Sequence, residues 1–223
     1  MKCSLFSNHY HTGMRCMLPT KLYHYSAQPL KKLRQDFHDM HWARIPIFQK
    51  PHGFWISVED YPEDQNWYSW CEGEEFRPEC LEHRYHVILK KKAKILHLKN
   101  AEELEAFSLK YASNDPEDFN KKFPMEYMDN LTGYVRKPYI YLIDWQTVMK
   151  EYDGIIIAPY QWSCRLMNQT TSWYYGWDCA SGCIWNISAV RSFTLQPRLV
   201  ETQECQAEGI QTDSRSAVCC LQG

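Results

Sequence analysis

Asp178, Cys179 and Cys183 stand inside the stretch WYYGWDCASGCIWN, which runs from Trp173 to Asn186. A fixed carboxylate can stabilise developing positive charge, and a thiol can act as a metal ligand or a nucleophile. Asp178 is the only carboxylate from Pro159 through Phe193. The Cys179-x3-Cys183 spacing falls within the range of a zinc pair, and Cys164 or Cys71 with His83 or His86 would complete a tetrahedron. No second tight pair follows in the core, and buried free cysteine is common. A Cys–His nucleophile is the other use of these thiols, but no strand-turn-helix setting frames them.

Rigid elements must hold such a loop on both sides. On its N-terminal side lies YDGIIIAPY, from Tyr152 to Tyr160. It reads as a turn at Asp153-Gly154 followed by a buried strand, since Gly permits positive φ. On the C-terminal side ISAVRSF, from Ile187 to Phe193, reads as a strand leaving the loop.

Further back, KLYHYS at Lys21–Ser26 and GFWISV at Gly53–Val58 read as strands. Pro29–His38 reads as a short helix, and Asp64–Glu74 as a helix with Trp67, Trp70 and Cys71 on one buried face. Arg84–Leu89 and Lys94–Leu98 read as strands flanking a lysine run. Ala101–Tyr111 reads as a helix capped by Asn100, with Leu104, Phe107, Leu109 and Tyr111 apolar. Asp144–Glu151 is a further helix, and Ile155–Ala158 and Cys183–Ile187 are strands. Strands and helices mix without a βαβ period, and no Gly-rich phosphate loop occurs. The pattern predicts an α+β fold with a split, mostly antiparallel sheet.

Composition narrows the class. A net charge of −2 gives no electrostatic support for nucleic-acid binding. No apolar run approaches the ~20 residues of a membrane span, so no transmembrane segment is expected. Residues 1–19 lack periodicity and read as an appended leader, 20–194 as the folded domain, and 195–223 as a disordered tail. The leader has no apolar region of a secretory signal, so a cytoplasmic, reducing setting with free thiols is expected. Cys220 sits at prenylation spacing, but the interior positions are not both aliphatic and Gly223 is atypical.

The order of these motifs resembles the ADP-ribosyltransferase-like superfamily, in a divergent, His-type form. LYHYS at Leu22–Ser26 resembles its first strand, which carries a His. Gly53-Phe54-Trp55-Ile56-Ser57 resembles its Gly-aromatic-aromatic-x-Ser strand, and Tyr152-Asp153-Gly154-Ile155 its penultimate turn-strand. Cys183-Ile184-Trp185-Asn186 resembles its final strand, and the block from Trp173 to Asn186 also resembles a stretch of microbial proteins. The resemblance spans most of the core. It implies an NAD-dependent enzyme, toxin-like, that cleaves the nicotinamide–ribose bond and transfers ADP-ribose to a protein or nucleic-acid acceptor. It implies no metal.

The resemblance also implies roles. Cleavage develops positive charge on an oxocarbenium-like ribose, which a nearby anion stabilises. His24 would hold the ribose hydroxyls and Asp178 would supply the anion. Trp55 or Tyr61 would stack on the nicotinamide. Ser26 and Ser57 would orient its amide, with Tyr25 and Gly53 completing the binding motifs. The family's glutamate is missing, because Ser181 stands at its position. That departure motivates two alternatives: a lapsed nucleotide-binding or protein-interaction module of the same fold, or a small zinc-binding structural domain. A His on a strand is also, more simply, a satisfied core histidine, and Trp67 and Trp70 are more simply helix core.

Overall fold

Strand β1 (Leu22–Ser26) lies beside β2 (Phe54–Val58) for only part of its length. Leu22 pairs with Val58 and Tyr23 with Ser57, and there the ladder stops. On its other edge β1 pairs with β3 (His83–Leu89) from Tyr23 through Ser26. The divergence of β1 from β2 opens the sheet at the place where the candidate pocket forms.

The computed structural model describes residues 18–35, 50–62, 65–122, 127–128, 135–136, 140–165 and 170–197. The leader before residue 18 and the tail after residue 197 lie outside them. Between them run β4 (Ile95–Leu98), α2 (Ala101–Tyr111), α3 (Pro116–Lys122), the short pair β5 (Tyr127–Met128) and β6 (Val135–Arg136), and α4 (Trp145–Glu151). Three strands follow: β7 (Gly154–Ile157), β8 (Ser181–Ile184) and β9 (Val190–Leu195). A helix α1 (Trp67–Gly73) follows β2.

Seven strands form one sheet in the order β4-β7-β8-β2-β1-β3-β9. The β4–β7 pair is parallel, and the remaining neighbours are antiparallel. The α+β, mostly antiparallel expectation therefore holds. The sheet is not broken in two, however; its split is confined to the short β1–β2 ladder.

Strands β7 and β8 are buried at every residue, because both faces of the sheet centre are covered. Gly154 and Gly182 make that packing possible. A Cβ on Gly182 would lie 2.7 Å from the Ile155 carbonyl oxygen and 2.8 Å from an Ile156 side-chain carbon. Beside the sheet, an aromatic cluster anchors the helices. Phe107 of α2 lies 5.8 Å from Trp145 of α4 and 5.3 Å from Trp173, centroid to centroid. The Trp173 indole N–H donates to Ser108 Oγ at 2.6 Å.

Several boundaries differ from the sequence expectation. The described part of Pro29–His38 is irregular, not helical. Its backbone is held by tertiary partners: the Leu30 N–H donates to the Tyr85 hydroxyl oxygen at 2.8 Å. The strand expected at Cys183–Ile187 ends at Ile184, and Ile187–Ala189 is a single 3-10 turn capped by Asn186. Leu109, expected on the apolar face of α2, is exposed, and Ser108 is buried in its place. Of the α1 trio only Cys71 is buried. Leu195, assigned to the tail, closes β9 opposite Tyr85. Among the described residues no helix is long and apolar enough to cross a membrane.

Candidate functional site

Cross-strand partners share a face of a sheet, and neighbours along a strand alternate. The registers therefore put Tyr23, Tyr25, Trp55, Ser57, Ser181 and Cys183 on one face. Leu22, His24, Ile56 and Val58 lie on the other. Where β1 leaves β2, a cavity of about 230 Å³ opens on the first face. Tyr23, Trp55, Trp67 and Trp177 form aromatic walls, and Lys50 and Asp178 bring opposite charges. Ser57, Ser181, Cys80 and Cys179, with His24, Tyr25 and Ile56, complete the lining. The volume suits one flat ring with a substituent and is too small for a whole dinucleotide.

The walls are rigid. Trp55 and Trp177 meet edge to face at 5.0 Å. The Trp67 backbone N–H, at the start of α1, donates to Ser57 Oγ at 3.0 Å, which joins helix to strand. Asn66 caps the same helix by accepting from the Ser69 N–H at 2.8 Å. Trp177 is buried, and its Nε1–H has no acceptor among the described residues.

The charged end is a three-membered chain. Arg165 Nη2 donates to Asp178 Oδ1 at 3.4 Å, and Lys50 Nζ lies 3.7 Å from Asp178 Oδ2. The Lys50 ammonium also stands over Trp55, 5.5 Å from the ring centroid. Burial holds the Lys50 pKa below the usual lysine value, against the raising influence of Asp178. Sequence reasoning missed Lys50 and Arg165. Lys50 sits in an irregular segment and Arg165 ends a one-turn 3-10 helix (Trp162–Arg165), and neither has a periodicity that marks a lysine or arginine as inward-facing.

The expected site residues divide. His24, Tyr25, Trp55, Ser57 and Asp178 all line the cavity. The register nevertheless sets the His24 side chain on the far face. Its Nδ1–H donates to the Trp55 carbonyl oxygen at 2.7 Å, and its ring stacks on Phe54 at 4.3 Å. This is the geometry of a satisfied core histidine, and burial lowers its pKa. His24 and Trp55 also line a second cavity, of about 800 Å³, with Lys31, Lys32 and Arg34 at its edge.

Ser26, Gly53 and Tyr61 lie off the first cavity. The Ser26 hydroxyl donates to the Gln28 carbonyl oxygen at 2.8 Å, which ties it to its own turn. Gly53 permits close strand approach, since a Cβ there would meet Cys183 Sγ at 2.7 Å. The Tyr61 hydroxyl donates to the Ala158 carbonyl oxygen at 3.4 Å. Trp67, expected as helix core, is instead a wall of the cavity.

The other acids near the closing strands are committed to structure. Asp153 accepts from the Lys94 N–H at 2.8 Å and from Asn186 Nδ2 at 2.6 Å. Glu151 accepts from the Tyr111 hydroxyl at 2.6 Å. The zinc alternative also loses its ligand set. Among the described residues no group of three or more His, Cys, Asp or Glu side chains is placed to hold a metal ion. Cys183 Sγ–H points instead at the Pro51 carbonyl oxygen, 3.5 Å away. No protein-family model, curated protein or solved structure matches the chain.

Proposed function

We propose that this chain is an ADP-ribosyltransferase-like protein that binds an NAD-like nucleotide, with a flat ring of the ligand seated in the aromatic cavity. The observation that carries this reading is the cavity itself. It lies at the opening between β1 and β2, and Tyr23, Trp55, Trp67 and Trp177 form its walls. Stacked or edge-on aromatic contact adds about 1 kcal/mol per ring beyond area burial, so several walls hold a planar group well. The rest of the nucleotide extends out of the cavity.

A second reading, cleavage of the nicotinamide–ribose bond with transfer to a protein or nucleic-acid acceptor, rests on Asp178. It is the carboxylate on the cavity wall and the one candidate for the missing glutamate's role. Its two cationic partners, Lys50 and Arg165, offset the charge that an oxocarbenium-like ribose needs. This favours binding over turnover. Incubation of the full chain with NAD separates the readings. Binding predicts a higher melting temperature in NAD. Turnover adds nicotinamide release that falls at least tenfold in Asp178→Asn. A melting temperature unmoved by NAD, with no nicotinamide released, would sink both.

A further inference from the structure

The charged end of the cavity carries more positive than negative charge. Lys50 and Arg165 share one carboxylate, Asp178. The side chains of Lys50 and Asp178 are 36% and 23% exposed, so the pair is only partly solvated. At 3.7 Å the Lys50–Asp178 contact is also looser than a direct charge-assisted hydrogen bond. Arg165 is anchored twice, by Asp178 and by the Tyr175 ring 5.6 Å from its guanidinium carbon. Lys50, not Arg165, is the cation that lines the cavity, and it stands over Trp55 where a seated ring would end. Around it the small polar groups are partly engaged: Ser57 Oγ accepts from the Trp67 N–H, and the Ser181 hydroxyl donates to the Cys179 carbonyl oxygen. Cys179 is a neutral thiol, its pKa pushed up to about 12 by burial.

We infer that Lys50 is a specificity-determining binding residue, and that the cavity takes a flat heteroaromatic ring carrying an anionic substituent. The inference rests on the ring-binding reading above and not on cleavage. An NAD-like nucleotide satisfies it through a phosphate, and a ring carboxylate satisfies it directly. A ligand anion restores to Lys50 the full counter-charge that it now shares through Asp178 with Arg165. A neutral ring leaves the excess charge unmatched, and a cationic ring such as the oxidised nicotinamide of NAD adds to it, so the ring of an NAD-like nucleotide that seats here is its adenine.

Two ligand pairs test this on the full chain by calorimetry, each differing in one anionic group: nicotinate against nicotinamide, and adenosine 5′-monophosphate against adenosine. The expected result is about tenfold tighter binding of the anion in at least one pair. The pair that shows it identifies carboxylate or phosphate as the source. Lys50→Gln should erase the preference, and Lys50→Arg should keep most of it. Equal binding within both pairs on the wild-type chain overturns the inference while leaving the ring-binding reading intact. No binding of any of the four overturns both. The wild-type comparison stands even if Lys50→Gln fails to fold.

Discussion

His24 Nδ1 lies 2.7 Å from the carbonyl oxygen of Trp55 and spans the gap where β1 parts from β2. The carbonyl sits on the stretch of β2 that β1 no longer pairs, so the imidazole takes the place of a ladder hydrogen bond. One side chain thereby holds the rim of the candidate pocket in shape.

That arrangement makes stability depend on pH. Burial lowers the pKa of His24 below its ordinary 6.5, and burial does the same to His97, whose Nε2–H donates to the Ala158 carbonyl oxygen. The unfolded chain then binds more protons than the folded chain between the lowered and ordinary pKa values. Stability is therefore complete above the ordinary histidine pKa and falls as pH drops through that window. Melting temperatures measured between about pH 5 and 8 should decline on the acid side. His24→Asn and His97→Gln keep a donor near each ring nitrogen but cannot titrate, so each should flatten part of the decline. Asp144 and Glu151 have lowered pKa values, so their loss comes at lower pH. A wild-type curve that is flat to pH ~5 contradicts this account.

On the same face as the pocket, Glu59 ties three residues together. It accepts from Arg84 Nη2 at 2.5 Å and from the Tyr25 hydroxyl at 2.7 Å, while the Arg84 guanidinium lies over Tyr23 at 3.6 Å. The Arg84 and Glu59 side chains are 17% and 13% exposed. Glu59→Ala leaves the guanidinium half-buried without its carboxylate, and should cost about 2–3 kcal/mol in urea unfolding once partial solvation is allowed for. Glu59→Gln keeps an acceptor for Tyr25 and should cost less. A loss below about 0.5 kcal/mol in Glu59→Ala would mean that solvent replaces the pair without penalty.

The core thiols should be inert in the native chain. Burial pushes Cys71 and Cys179 up to about 12 and Cys183 well above its ordinary value. A thiolate is the reactive form, so iodoacetamide near pH ~8 should leave all three unmodified until denaturant is added. Residue-resolved mass spectrometry reads the outcome. Rapid labelling of Cys179 in the folded chain would revive the Cys–His nucleophile.

The elements around the pocket were legible where one local rule governs them. KLYHYS and GFWISV announce β1 and β2, and Asn100 and Asp144 cap their helices with side-chain oxygens, whereas the helix expected from Asp64 starts at Trp67 behind its cap Asn66. The failures came where tertiary partners decide. Leu30 and Leu33 sit at helical spacing, yet the Leu30 N–H bonds Tyr85 across the sheet. His24 and Ser57 were read as two halves of one site, but the register sets their side chains on opposite faces. Asp178 was found because no other carboxylate stands near it in sequence. Its partner Lys50 is far away along the chain, and Arg165, thirteen positions before it, is brought to it only by the fold of the intervening loop.

Two glycines should respond in opposite directions to the same substitution. Gly182 lies in β8, between β7 and β2, where an added methyl meets the Ile155 carbonyl oxygen at 2.7 Å. Backbone in the middle of a sheet cannot yield as a flexible side chain can. Gly182→Ala should therefore destabilise by about 1–3 kcal/mol, and more if the strands separate. Gly73 ends α1, and an added Cβ there meets nothing within 4 Å. Gly73→Ala removes backbone freedom from the unfolded chain and should stabilise by about 0.4–1 kcal/mol. Urea unfolding of both variants checks the pair. A neutral Gly182→Ala would show that β7 and β8 are not packed as tightly as described.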